Sequence, residues 1–260
     1  MNNYYPGDEY HTPESMERDF WDKLFLGTRA YFYSQIFKVT LDAHRLAVRG
    51  EYDDSAWVES SYAMRVSHER CGAKCHFTGL NHIDERDGPV VFIGNHMSTS
   101  ETFLLPAMIV PRKRVTFVVK RNLLTYPLFG PVMRSRNPIV VGRRDPKEDF
   151  KAVMSDGVER LRSGVSVVVF PQSTRMAEFK PEQFNSIGVK LAKKAGVPIV
   201  PIALKTDFWS NGVILKECGP IRREREVFIH FASPMDVTGS GKEAHTAIIE
   251  FIQERLREWS

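Results

Sequence analysis

The 260-residue chain carries only three cysteines, Cys71, Cys75 and Cys218. They are too few and too unevenly placed for a disulfide framework, which points to a reducing compartment. Cys71, Cys75 and His76 lie close together, but no second pair follows at zinc-site spacing, so no metal is expected. Nor is there a run of about 18 nearly uninterrupted apolar residues, and no membrane-spanning helix is expected. The opening MNNYYPGDEYHTPESMERDF lacks the basic start, apolar stretch and small-residue cleavage site of a secretory signal. The mature chain is therefore expected to begin near Met1. Charge of one sign is scarce, with a net of only +4, which argues against a dedicated nucleic-acid binder. No Gly-x-Ser-x-Gly elbow appears, so a serine hydrolase is poorly supported. Internal repeats and low-complexity stretches are absent too.

What is present is an ordinary globular composition, 42% hydrophobic and 26% charged, long enough for one large domain with a substantial core. Residues 1–60 read as a loose polar arm followed, from about Ser15 to Arg49, by a segment of helical period. In it Phe20, Leu24, Phe32, Ile36, Phe37 and Leu41 are interleaved with Lys23, Arg29, Lys38, Arg45 and Arg49. Such a face suits a helix in a membrane interface and a helix packed on a sheet equally well. Glu51, Asp53 and Asp54 separate it from residues 61–260. There, short apolar runs at Val90–Gly94, Val115–Val119, Ile139–Val141, Val165–Phe170, Ile199–Leu204 and Val227–Phe231 read as buried strands. Helical stretches lie near 98–109, 147–163, 185–195 and 241–258. This alternation predicts an α/β fold, a mixed, largely parallel central sheet covered by helices on both faces, with an N-terminal helical segment.

In such sheets ligands sit at the carboxyl ends of strands. The run GPVVFIG leads straight into Asn95-His96-Met97-Ser98-Thr99-Ser100-Glu101, placing an imidazole at a strand end. Imidazole titrates near neutrality and can take a proton from an alcohol; a carboxylate such as Glu101 would fix its tautomer. The same Ser98-to-Glu101 stretch is also a capping box, in which serine and glutamate satisfy backbone donors at a helix start. Two further strands end in cations, VVVF before Pro171-Gln172-Ser173-Thr174-Arg175 and IVV before Gly142-Arg143-Arg144, and Lys120 ends VTFVV in the same way. Between Arg112 and Lys147 ten Lys or Arg face one acidic residue, Asp145. Phosphate or anionic lipid is a fitting partner, although any one of these side chains alone could simply snorkel at the sheet edge.

These blocks carry a resemblance. Asn95 to Glu101 resembles the Asn-His-x-Ser-x-x-Asp block of the 1-acylglycerol-3-phosphate acyltransferases. Phe170-Pro171-Gln172-Ser173-Thr174-Arg175 is similar to that family's Phe-Pro-Glu-Gly-Thr-Arg. Val197-Pro198-Ile199-Val200-Pro201-Ile202 resembles its apolar Val-Pro-Ile-Val-Pro block. Lys120, the Pro127–Gly130 turn and the strand ending in Arg143 fall in the family's order, and the resemblance spans about residues 76–233.

The resemblance implies that His96 is a general base oriented by Glu101. It implies an acceptor phosphate held by Lys120, Arg143 and Arg175, with Gln172, Ser173 and Thr174 in the acceptor-binding block, and an acyl site shaped around Pro201. It further implies a fatty acyl donor, acyl-CoA or acyl carrier protein, with no other cofactor, a lysophospholipid acceptor and peripheral residence on the cytoplasmic side of a phospholipid membrane. The departures are Glu101, one methylene longer than the family's aspartate, Gln172 for a carboxylate, Ser173 for a glycine, and Asn185 where a basic residue is expected. They leave open a different lipid acceptor, or a lipid-binding protein that kept the fold without turnover.

Overall fold

In the computed structural model, residues 1–25, 28–172, 174–213 and 216–260 are described. Ser173 therefore lies outside the described residues. In chain order the elements are β1 (Tyr10–His11), α1 (Phe20–Leu24), α2 (Arg29–Arg49), α3 (Asp54–Arg70), β2 (Cys75–Thr78), β3 (Val91–Gly94), α4 (Ser100–Ile109) and β4 (Val115–Lys120). They continue with α5 (Gly130–Ser135), β5 (Ile139–Val141), α6 (Pro146–Arg162), β6 (Ser166–Val169), α7 (Ile187–Ala195), β7 (Ile199–Lys205), β8 (Val227–Phe231) and α8 (Lys242–Glu258).

The strands form one sheet in the order β1-β2-β8-β7-β3-β6-β4-β5. Pairing is parallel from β7 through β5 and between β2 and β8, and antiparallel for β1–β2 and β7–β8. The expected α/β architecture is thus present. The apolar runs have no polar alternation because both faces of the central strands are covered. Phe92, Val168, Val200, Ile202 and Leu204 join the core beneath α2, α3 and α4. Val91, Ile93, Val167, Val169 and Ile199 join the one beneath α6, α7 and α8. Near-continuous apolar strands are what two-sided burial requires.

The amino-terminal region departs from expectation. The arm is not loose: Tyr5 is only 3% exposed, and Tyr10 and His11 pair with Phe77 and His76. A buried ion pair holds it, because Glu69, bonded to Arg65, also accepts the Tyr10 hydroxyl at 2.7 Å and the Thr12 hydroxyl at 2.5 Å. The helix or helix pair expected over Ser15–Arg49 is a pair, each member begun by a side-chain cap from Asp19 or Thr28. The acidic patch is a helix start, since Asp53 caps α3 by accepting the Ala56 N–H at 2.8 Å. Cys71 and Cys75 are buried in the core while His76 stacks on Phe228. Among the described residues no group of three or more His, Cys, Asp or Glu is placed to hold a metal ion.

Helix α3 carries a fully buried imidazole, His68, whose ring nitrogens meet the Met64 carbonyl at 2.7 Å and the Ser100 hydroxyl at 3.0 Å. Burial holds its pKa down to about 4 from 6.5, partly offset by the Met64 bond. Between those values the unfolded chain binds the proton and the folded chain does not, so stability is full above pH 6.5 and falls as pH drops toward 4. Denaturant midpoints should therefore fall on acidification below neutrality, His68 contributing up to about 1.4 kcal/mol per pH unit. His68→Gln should flatten that dependence; parallel pH profiles for the two proteins would contradict it.

Candidate active site

Because β7, β3, β6, β4 and β5 run parallel, their carboxyl ends share one edge. The turn after β3 is fixed first by Asn95. Its buried side chain exchanges two hydrogen bonds with the Leu204 main chain, at 2.7 and 2.9 Å, acting as a short extension of the β3–β7 ladder. The next residue, His96, lays its ring on Phe170 at 4.5 Å between centroids, nearly parallel. Its backbone N–H donates to Gln172 Oε1 at 2.7 Å, and its carbonyl accepts the Met176 N–H at 2.9 Å. Ring plane and backbone are thus both clamped by the segment following β6.

Glu101 lies one residue inside α4 and is fully buried. Its Oε2 meets His96 Nδ1 at 2.5 Å. Its Oε1 accepts the backbone N–H groups of Met97 and Ser98, at 2.7 and 2.8 Å, and the Thr206 hydroxyl at 2.7 Å. Capping and pairing with histidine therefore coexist, one on each carboxylate oxygen. The extra methylene relative to aspartate is absorbed, since the contact with Nδ1 is made. The histidine side chain is 18% exposed and its partner not at all. A carboxylate that only accepts here pairs with the imidazole tautomer that carries its proton on Nδ1 and leaves a lone pair on Nε2.

The sequence-predicted cations assemble unevenly. Arg143 follows β5, with its guanidinium 3.5 Å from the carbonyl of Gln172, the residue whose side chain clamps His96. Its backbone is left-handed, with φ of 60°. Asp149, in the first turn of α6, holds that shape by accepting the Gly142 and Arg143 N–H groups at 2.7 and 2.9 Å. Partial burial lowers the Arg143 pKa, and Asp149 opposes the shift. Arg175 donates to Thr99 Oγ1 and to Glu217 at 2.6 Å. Burial pushes the Glu217 carboxyl up, but Arg175, the Glu217 backbone N–H and Lys216 together outweigh it and the net shift is downward. Lys120 is exposed at the end of β4.

Two expectations change on this geometry, those for Gln172 and for the apolar Val197–Ile202 block. Gln172 is 1% exposed and its side-chain oxygen is on the His96 N–H, so that oxygen shapes the turn instead of facing an acceptor. The amide oxygen accepts the bond that a carboxylate oxygen would accept at the same place. Thr174 is exposed, its hydroxyl bonded to Lys216 at 2.5 Å. From Ile199 onward the Val197–Ile202 block lies within β7, with Ile199, Val200 and Ile202 fully buried, so those side chains line core and not an open acyl site. Sequence reasoning missed Lys216, Glu217, His68 and Thr206. None sits in a recognisable block, and each reaches the site through the fold.

Comparisons with known proteins agree with this geometry. The family model described as Acyltransferase matches residues 74–205. The chain is 30% identical over 199 residues, 76% of its length and 72% of the relative's, to a 1-acyl-sn-glycerol-3-phosphate acyltransferase of Pseudomonas aeruginosa. It is 25% identical over 197 residues, 74% of each chain, to the protein of that name in Borreliella burgdorferi. Its fold matches the crystal structure of the 1-acyl-sn-glycerophosphate (LPA) acyltransferase PlsC from Thermotoga maritima. The TM-score is 0.63 at 19% identity, covering 90% of this chain and 95% of that one. The family model, matched over half of the chain, and the 30% identity to the Pseudomonas aeruginosa relative show that this protein belongs to the acyltransferase family, as an enzyme of the 1-acyl-sn-glycerol-3-phosphate acyltransferase group.

Proposed function

We propose that the enzyme moves a fatty acyl group from acyl-CoA or acyl carrier protein to the free hydroxyl of 1-acylglycerol-3-phosphate, giving phosphatidic acid. The observation that carries this reading is the His96–Glu101 pair, buried on the carboxylate side and open on the imidazole side. His96 Nε2 takes the acceptor's hydroxyl proton as that oxygen bonds to the thioester carbonyl carbon. The tetrahedral intermediate then expels the thiolate, and the imidazolium returns its proton to the departing sulfur. Glu101 stabilises the transient imidazolium and keeps Nδ1 protonated. The thioester supplies the driving force, so no further cofactor is needed.

Lys120, Arg143 and Arg175, joined by Lys216 and the Thr174 hydroxyl, are the groups assigned to the acceptor phosphate. Because Gln172 replaces a carboxylate without changing the bond it makes to His96, that departure does not argue against the phosphorylated acceptor.

Peripheral contact with the cytoplasmic face of a membrane is part of the same reading. In the amino-terminal segment, Phe20, Trp21, Leu24 and Phe25 of α1 and its end are 49–67% exposed. Meanwhile Asp22 is fully buried between Arg18 and Arg223, at 2.8 Å from each. An aromatic face beside Lys23 and Arg29 suits an interfacial helix. Among the described residues no helix is long and apolar enough to cross a membrane.

Purified protein given labelled acyl-CoA or acyl carrier protein and a panel of lysophospholipids should form phosphatidic acid, with His96→Ala lowering the rate by about a hundredfold or more. Turnover restricted to another acceptor would sink the assigned substrate, and wild-type rates in the variant would sink the assigned base. Glu101→Gln separates charge from shape. Its amide oxygen can still cap α4 while its NH2 faces Nδ1 and forces the proton onto Nε2. A folded protein with kcat lower by about 10³–10⁴-fold is expected, as for an amide replacing a triad aspartate; near-normal kcat would contradict the orienting role.

A further inference from the structure

Glu101 gives Oε2 to His96 alone and crowds three donors onto Oε1, and the third of these comes from far along the chain. Thr206, fully buried, follows β7 directly and lies one residue beyond the region that the family model matches. Its hydroxyl has a single proton. Once that proton is on Glu101 Oε1, at 2.7 Å, the oxygen can only accept. Ser98 Oγ, 2.9 Å away, supplies the donor. Ser98 has then spent its own proton and accepts the Ser100 N–H at 3.1 Å.

Every direction in this chain is fixed at its ends, because a backbone N–H only donates and a carboxylate only accepts. The order is Ser100 N–H, Ser98 hydroxyl, Thr206 hydroxyl, Glu101. Aligned bonds of this kind polarise one another. This one starts at the Ser100 amide in the first turn of α4, which has no acceptor within the helix and donates to Ser98, so it carries the helix's positive end to the carboxylate.

We infer that Thr206 is a positioning residue of the acyl-transfer reaction, anchoring Oε1 so that Oε2 alone faces His96 Nδ1. The inference rests on the roles proposed above for His96 and Glu101. A threonine that merely satisfied buried polar atoms would affect stability only. One that sets the carboxylate's charge and aim must affect the chemical step and its pH dependence. The other charged or titratable groups against this cluster are His96 on Glu101, Arg175 on Thr99, Arg143 on the Gln172 carbonyl and His68 on Ser100. Thr206→Val leaves all four contacts in place.

The sign follows from the bonding. A hydrogen bond to the ionised form favours that form, so losing one raises the proton affinity of the coupled His96–Glu101 pair. The acidic limb of the kcat/KM profile should therefore move to higher pH. The test is steady-state kinetics across pH on the full chain, with acyl-CoA and 1-acylglycerol-3-phosphate, for the native protein, Thr206→Val, Thr206→Ser, Ser98→Ala and His96→Ala, each with a melting curve.

Thr206→Val should lower kcat by about tenfold or more, leave both KM values unchanged and shift the acidic limb upward, while Thr206→Ser restores most of the rate. A folded Thr206→Val with native kcat and pH profile overturns the inference. If that variant does not fold, Ser98→Ala decides: a smaller loss with the same limb shift supports the chain, and an unmoved limb overturns it. Loss of activity in His96→Ala beside a silent Thr206→Val refutes only the role of Thr206. An active His96→Ala refutes the catalytic pair, and this inference with it.

Discussion

The site depends on satisfying one fully buried carboxylate, Glu101. Stripping water from a carboxylate costs several kcal/mol or more even after relaxation unless hydrogen bonds replace it. Four groups point at Glu101 in place of water: two turn amides, the Thr206 hydroxyl and the His96 ring. Position in the first turn of α4 adds the favourable end of the helix dipole. The same bonds shape everything around them. They close the turn after β3, start α4 and tie both to the end of β7, so catalytic geometry and local folding share one set of interactions.

The sheet explains why such a cluster can form. Five parallel strands deliver their carboxyl ends to one edge, and residues far apart in sequence meet there: Asn95 with Leu204, His96 with Gln172, Glu101 with Thr206. The central strands are sealed on both faces, which gives the edge a rigid base. Beyond the clamp the side chains become longer, cationic and more exposed, from Arg143 and Arg175 to Lys120 and Lys216. The arrangement passes from fixed proton-transfer geometry at His96 to an adaptable rim suited to a charged headgroup.

Strands from β3 onward were legible within a residue or two, because apolar runs buried on both faces leave a plain signature. The His96–Glu101 pair was legible as well, although capping and catalysis looked like competitors when the carboxylate was counted as one acceptor instead of two. Helix α3 was missed for a physical reason. Its buried face mixes Trp57, Val58 and Met64 with Ser61, Arg65, Ser67, His68 and Glu69, each of these five holding at least one hydrogen bond, so no unbroken apolar stripe marks it. Strand β1 is two residues long and stands only through its pairing with β2 and the Arg65–Glu69 anchor. Thr206 and Lys216 have no local pattern, because their contacts exist only once β7 and the segment after it are in place. Gln172 was expected in the acceptor-binding block, and its bond to the His96 backbone N–H could not be read from composition.

Membership in the acyltransferase family and the geometry of the pair converge on one proton. If Glu101 is an ionised acceptor held by its donors, the neutral His96 ring must carry hydrogen on Nδ1 and a lone pair on Nε2. Nitrogen-15 NMR of the ring in the full-length protein reads this proton, with the signals identified by their loss in His96→Ala and recorded above the pH at which the ring titrates. A protonated Nδ1 and an unprotonated Nε2 are expected. A ring protonated on Nε2 would mean that Glu101 does not orient the base, and the mechanism built on this pair would fail.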